Sequence, residues 1–235
     1  MPRFFVKNNQ INNDKITIID EDVKHIKNVL RKQIGDKIEV CNQDTGNSYK
    51  CEIEIIAENE IETKIIEEQK NIQEKIKVDI YQGLPKSVEL GANSIIPVNM
   101  KRCVVKLEGK DEIKKNERWQ KIAESAAKQC GRGFIPEVKH LINVKEICNW
   151  INEYDVIIVA YENEKENTLK AELKKLKATD LKIGIVIGPE GGFEESDIKL
   201  LKESGAKIVT LGDRILRTET VALNVLSIIM YEFEQ

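Results

Sequence analysis

The stretch Ile183-Gly-Ile-Val-Ile-Gly-Pro-Glu-Gly-Gly-Phe193 constrains this chain more than any other. An apolar run enters a turn with three glycines in five residues, and polar helix formers come after it. That order predicts a buried strand, a tight turn and a helix, the repeating step of an α/β sheet. In open α/β sheets, ligands sit at the carboxyl ends of strands. Gly188, Gly191 and Gly192 let backbone approach a ligand closely. The spacing matches neither GxGxxG nor GxxxxGK[ST], so two common phosphate cradles are excluded. Glu190 inside the turn would repel a phosphate at the helix start. The turn suits a ligand with amide-like edges, hydroxyls or positive charge. A purely structural turn accounts for the same spacing equally well.

The same alternation runs from Ile76 onward. Strands are predicted at Ile76–Gln82, Ser94–Pro97, Val104–Lys106, Val156–Ala160, Ile183–Ile187 and Ala206–Leu211. Helices are predicted at Glu117–Cys130, Val144–Ile151, Leu169–Leu176, Glu194–Ser204 and Glu219–Phe233. The fold class is α/β with a mostly parallel sheet. One step is too short. Only Gly83–Asn93, with Pro85 and Gly91, separates the first two strands, whereas a parallel crossover takes a dozen or more residues. Either this connection is compact or residues are missing between Lys86 and Val88.

Before residue 70 the pattern differs. Short β-like runs at Phe4–Val6, Lys15–Ile19, Lys37–Cys41, Ser48–Ile56 and Glu60–Ile66 are separated by Asn, Gly and Asp turns, which suggests a small barrel. Within it Asp22–Lys32 reads as a helix whose apolar face is Val23, Ile26, Val29 and Leu30. The polar stretch Glu67–Lys75 reads as a linker, so the expected domains are residues 1–70 and 76–235.

Composition narrows the function classes. The 37 basic and 40 acidic residues of this 235-residue chain give a net charge of −3, so nucleic-acid binding requires a local patch. The five cysteines are scattered and never form CxxC, and only His25 and His140 accompany them, so no metal site is expected. Such cysteines suit a reducing cytoplasm. No run of 18 apolar residues occurs, and MPRFFVKNNQ lacks a signal-peptide core, so no membrane association is expected. No Ser-His-Asp or Cys-His arrangement stands out.

Four further stretches carry candidate chemistry. Leu211-Gly-Asp-Arg-Ile-Leu-Arg-Thr-Glu-Thr-Val221 opens the last helix. Thr218 suits its cap and Glu219 its first turn, but Arg214 and Arg217 stand against the helix dipole, which points to a site. Arg132 comes directly after Gly131, a plausible helix terminator, and projects from a loop; a solvated surface charge explains it as well. Lys24, Lys27 and Arg31 share one helical face, with Arg3 nearby in sequence; they form either a phosphate-contacting patch or a solvated face. Glu162 ends a buried strand, a weak signal by itself.

Taken together, MPRFFV, His25-Ile-Lys-Asn-Val-Leu-Arg31, Gly83-Leu-Pro-Lys86, Glu89-Leu-Gly91, Arg118-Trp-Gln120 with Ala126–Arg132, the glycine turn and the Leu211–Thr220 block resemble the bacterial 16S ribosomal RNA uridine-N3 methyltransferases of the SPOUT superfamily. The resemblance covers essentially the whole chain. It implies a PUA-like N-terminal β-barrel for RNA, a C-terminal SPOUT domain with a deep trefoil knot, and a homodimer. The cofactor it implies is S-adenosyl-L-methionine, and the target is N3 of one uridine in 16S rRNA of the small ribosomal subunit. Members of the resembled family carry an amphipathic helix between the segments matching Leu84-Pro-Lys86 and Glu89-Leu-Gly91, and here it is absent.

On that resemblance, three loops would wrap the methyl donor. They supply Ala160, Tyr161 and Glu162; Ile187, Gly188, Pro189, Glu190, Gly191 and Gly192; and Leu211, Gly212, Arg214, Ile215 and Leu216, with Thr220 and Ala222 behind. Uridine N3 is a poor nucleophile until its proton leaves, and charge then spreads onto O2 and O4. Arg217 and Arg132 are the expected stabilisers, Arg132 reaching across a dimer, and Glu219 is a candidate base or orienting group. Arg3, Lys24, Lys27 and Arg31 would hold the RNA backbone. Methylation of another RNA position, or a non-catalytic role in ribosome assembly, remains open on the residues alone.

Overall fold

The computed structural model describes residues 3–69, 76–81, 85–103, 107, 109–177 and 180–234. It separates into two units, residues 1–73 with 127–135, and residues 74–126 with 136–235. The cut is therefore discontinuous, unlike the single boundary expected near residue 70. The predicted strand Val104–Lys106 and residues 70–75 of the predicted linker lie outside the described residues.

The first unit is built on β1 (Arg3–Val6), β2 (Ile11–Asn12), β3 (Lys15–Ile19), β4 (Lys37–Asn42), β5 (Ser48–Ile56) and β6 (Glu60–Gln69). They form one sheet in the order β1-β4-β5-β6-β3-β2. Every neighbouring pair is antiparallel except β1 and β4. Period-2 alternation does the sorting: Ile16 and Ile18 of β3, and Tyr49, Cys51 and Ile53 of β5, turn inward. Phe4 and Val6 of β1 join the same core, and Ile11 of β2 packs against it. Register shifts between β5 and β6 bend the pair over that core.

The predicted helix over residues 22–32 is shorter and different in kind. A single α turn, α1 (Glu21–Lys24), runs into a π-helical turn over His25–Val29, closed by the Leu30 N–H donating to His25 O at 2.9 Å. Arg31 then adopts φ +51°, outside any helix. The wider turn shifts the helical phase, so Val29 is 70% exposed rather than part of the apolar face.

The second unit holds β7 (Ile76–Tyr81), β8 (Ala92–Ile95), β9 (Val98–Asn99), β10 (Glu137–Val138), β11 (Ile142–Asn143), β12 (Val156–Ala160), β13 (Leu181–Ile187) and β14 (Lys207–Val209). Its helices are α2 (Lys110–Cys130), α3 (Val144–Trp150), α4 (Leu169–Leu173), α5 (Glu195–Glu203) and α6 (Thr218–Phe233). The last turn of α2 belongs to the first unit. The main sheet is entirely parallel in the order β10-β8-β7-β13-β12-β14, and β9 pairs with β11 separately.

Both faces of the parallel sheet are covered, so its strands are apolar runs. Val156 and Ile158 of β12 pack with Leu169, Leu173, Val225 and Ile229 from α4 and α6. Ile157 and Val159 pack on the opposite face with Val144, Ile147 and Leu201 from α3 and α5. Asp79 is the polar exception in β7; Asn93, Ser94 and Tyr154 each donate to its carboxylate at 2.7 Å. Residues 82–84 of the short step from β7 to β8 lie outside the described residues. A 3-10 turn over Pro85–Leu90 puts Val88 at 0% exposure, and Gly91 (φ +91°) leaves room for Met230 of α6. No helix among the described residues is long and apolar enough to cross a membrane.

Candidate functional site

Three neighbouring strands end together. Ala160 of β12 sits opposite Ile187 of β13 on one side and Val209 of β14 on the other. The loops that leave them are the three that the sequence singled out. The first is stitched onto β14. Tyr161 N–H donates to Val209 O at 3.0 Å, Thr210 N–H to Asn167 O at 2.8 Å, and the Asn167 amide to Ile208 O at 2.9 Å. Within that loop the Glu164 carboxylate accepts the N–H groups of Glu166, Asn167 and Lys165, which holds it below the usual carboxylate range.

The glycine turn is explained by three different neighbours. A Cβ on Gly188 would stand 2.9 Å from the Phe193 ring. Phe193 itself is buried and meets Tyr161 edge-on at 6.0 Å. A Cβ on Gly191 would stand 2.8 Å from the carbonyl oxygen of Arg102. A Cβ on Gly192, at φ +71°, would stand 2.7 Å from a Glu162 carboxylate oxygen. The Gly192 N–H closes the turn onto Pro189 O at 2.9 Å. Packing thus accounts for every glycine, and the turn still leaves Glu190 and Gly191 exposed.

In the third loop, Gly212 is required by conformation. Its φ is +104°, and nothing lies within 4 Å of where a Cβ would be. Its N–H donates to the Thr210 hydroxyl at 3.2 Å. A cavity of about 400 Å³ opens there, with Thr168, Leu169, Thr210, Leu211, Gly212 and Ile228 among its walls. Arg214, Ile215 and Arg217 are exposed, Leu211 and Leu216 half-buried. Arg217, not Thr218, is the N-cap of α6, and no side chain caps that helix. Glu219 is half-buried in the first turn and Thr220 exposed. Ala222 is a core residue at 2% exposure, so its side chain packs the sheet and does not line the loops.

A family model described as "RNA methyltransferase domain" matches residues 57–230. The chain belongs to this family. A second model, "RNA methyltransferase PUA domain", matches residues 18–66. Ribosomal RNA small subunit methyltransferase E of Bacillus subtilis (strain 168) is 38% identical over 235 residues, covering 93% of this chain and 90% of that protein. The protein of the same name from Mesomycoplasma hyopneumoniae (strain 232) is 31% identical, covering 97% and 98%. Among solved structures, a ribosomal RNA small subunit methyltransferase E from Neisseria gonorrhoeae bound to S-adenosyl methionine is 29% identical, with a TM-score of 0.83 over 99% of this chain and 98% of that one.

The basic candidates of this RNA methyltransferase fare unevenly. Arg3 is consumed internally: its guanidinium pairs with Glu39 and donates to the carbonyls of Gly131 and Arg132. Arg132 does not project from its loop; it is 9% exposed, with its guanidinium 4.3 Å from the Phe134 ring centre. Both arginines belong to the first unit, whereas Arg217 belongs to the second. Lys27 is half-buried and donates to Ala57 O at 2.9 Å. The shared face of Lys24, Lys27 and Arg31 is broken by the π turn, though Lys24 and Arg31 remain exposed. Among the described residues no group of three or more metal-ligating side chains gathers.

The sequence pattern does not reveal the turn over residues 100–103 that packs on Gly191, nor the part played by Glu194. Nothing local marks them, because their partners lie about ninety residues away in the chain.

Proposed function

We propose that this chain transfers a methyl group from S-adenosylmethionine to N3 of a uridine in small-subunit ribosomal RNA. One observation carries the reading: three adjacent parallel strands end together, and each glycine of the 188–192 turn has a close neighbour where its side chain would be, giving a fixed backbone cradle beside exposed arginines. The residues suit the donor. The cradle is backbone-lined, as a ligand with adenine edges and ribose hydroxyls requires, and the exposed Glu190 is compatible with a cation and not with a phosphate. Residues 187–192 and 211–216 would hold it. When bound, S-adenosylmethionine supplies an electrophilic methyl on a sulfonium.

The chain's own work is on the uridine. Glu219 takes the N3 proton, and Arg217 stabilises the charge that then spreads onto O2 and O4. The target base is splayed out of its stack to reach them. The first unit holds RNA as a PUA-like barrel; the supply of core residues from both edge strands, β1 and β2, supports closure. The reading also carries a SPOUT trefoil knot, a homodimer and a cytoplasmic location. Stitching of the 161–168 loop to β14 supports the knot.

The test is methyl transfer from labelled S-adenosylmethionine to small subunits lacking the modification, with nucleoside analysis of the product. Label recovered as 3-methyluridine is the expected result. Arg217→Ala should lower turnover by about 10²–10³-fold with an unchanged unfolding transition. Near-normal turnover would remove Arg217 from the chemistry. Label in a ribose, or none at all, would overturn the assignment of N3.

A further inference from the structure

The residues that press on the glycine turn form a small device of their own. Met100 is buried in the core between the sheet and α5. Cys103 N–H donates back to Met100 O at 3.1 Å, closing a tight turn. The backbone carbonyl of Arg102 then lies against Gly191. The two side chains at the tip both reach the start of α5. Lys101 Nζ donates to the Ser196 hydroxyl at 2.6 Å, and Arg102 Nε donates to a Glu194 carboxylate oxygen at 2.8 Å.

Glu194 makes the arrangement informative. It is the N-cap residue of α5, and its side chain makes no capping bond. Glutamate is not among the side chains that favour capping, so its carboxylate is available to a partner elsewhere. Here it is spent on a residue 92 positions away. Both partners are substantially exposed, 49% and 37%, where ion pairs add little to global stability. The pair instead ties the roof of the glycine turn to the helix that leaves it.

We infer that the Met100–Cys103 turn is a latch, and that Arg102 and Glu194 are positioning residues that hold the 188–193 backbone in its donor-binding form. The donor's identity rests on the function proposed above; the latch itself does not. With the pair intact, the Arg102 carbonyl backs Gly191 and the turn presents one fixed set of backbone groups. With it broken, the turn gains alternatives and part of the binding free energy is spent on selecting one.

The experiment uses the full chain, with Arg102→Gln, Glu194→Gln and the reversal Arg102→Glu/Glu194→Arg. Titration with S-adenosylmethionine should show each single variant weakened about fivefold and the reversal restored to within about twofold, all with melting temperatures close to the parent's. Amide exchange over residues 188–193, measured without donor, should quicken in the single variants and recover in the reversal. Donor binding and exchange both unchanged in the single variants would overturn the latch. So would losses that track a fall in melting temperature and do not recover on reversal. A parent that binds no S-adenosylmethionine would overturn the proposed donor, and exchange alone would then decide the latch.

Discussion

Gly35 in the first unit and Gly191 in the second are the same residue serving opposite needs. Gly35 has φ +88° and nothing within 4 Å of its absent Cβ. Gly191 is there for space, because a backbone carbonyl occupies the place a Cβ would take. In the first unit, Gly35 turns in open space and the candidate chemistry is borne by exposed side chains, Lys24 and Arg31, at the short helix and just after its π turn. At the strand ends of the second, backbone is the proposed binding surface and neighbours shape it. A surface of the first kind tolerates substitution one residue at a time. One of the second kind fails when any of its packing partners shifts.

The sharpest way to break this contrast is to add one methyl group at each glycine. Gly191→Ala forces its Cβ against the Arg102 carbonyl, which cannot retreat as a flexible side chain would. Overpacking of this kind costs about 1–3 kcal/mol. If the strain is relieved by moving the turn, S-adenosylmethionine affinity should fall by about 5–150-fold. Gly35→Ala should cost about 1–2 kcal/mol of stability through its positive φ, seen in urea denaturation, and leave donor affinity unchanged. Equal effects of the two substitutions on donor binding would dissolve the distinction.

A smaller effect separates buried from exposed chemistry within the first unit. Burial pushes the Cys51 thiol up to about 11, so it stays protonated and unreactive at neutral pH. Cys130 is exposed. Iodoacetamide at pH 8 should therefore label Cys130 in minutes and Cys51 only on unfolding. The unfolded thiol, with an ordinary value near 9.0, loses its proton before the folded one does. Stability should therefore decline as pH rises from about that value toward 11. Rapid labelling of Cys51 in the native protein would show that the β5 core opens far more readily than its packing implies.

Much of this architecture is legible in the chain, for a physical reason in each case. β5 and β12 fall at their predicted bounds because strict alternation and a continuous apolar run are strong local signals. The glycine turn is legible as a feature, but not which neighbour each glycine serves, since Arg102 and Glu162 meet it only through tertiary contact. The two-residue strands β9, β10 and β11 are too short for any periodicity. Assignment of residues 127–135 to the first unit leaves no mark in composition. Arg132 reads as a projecting charge because a buried arginine stacked on Phe134 has the same local sequence as a solvated one. The π turn at His25–Val29 changes which residues share a face without changing which residues are present.

The π turn also offers the finest test of the first unit. Helical spacing groups Lys24, Lys27 and Arg31 as one phosphate-binding face, whereas the structure divides them. Lys24 and Arg31 are exposed, and Lys27 is engaged with the Ala57 carbonyl. Each phosphate contact contributes about 0.7–0.9 to the slope of log affinity against log salt. Lys24→Ala with Arg31→Ala should flatten that slope for small-subunit RNA by about 1.4–1.8. Lys27→Ala should leave the slope unchanged and lower stability slightly, through loss of its hydrogen bond to the loop before β6. A slope that responds to all three positions would mean that RNA re-forms the regular helical face on binding. A slope that responds to none would make this surface a solvated one and move the RNA contact elsewhere on the unit.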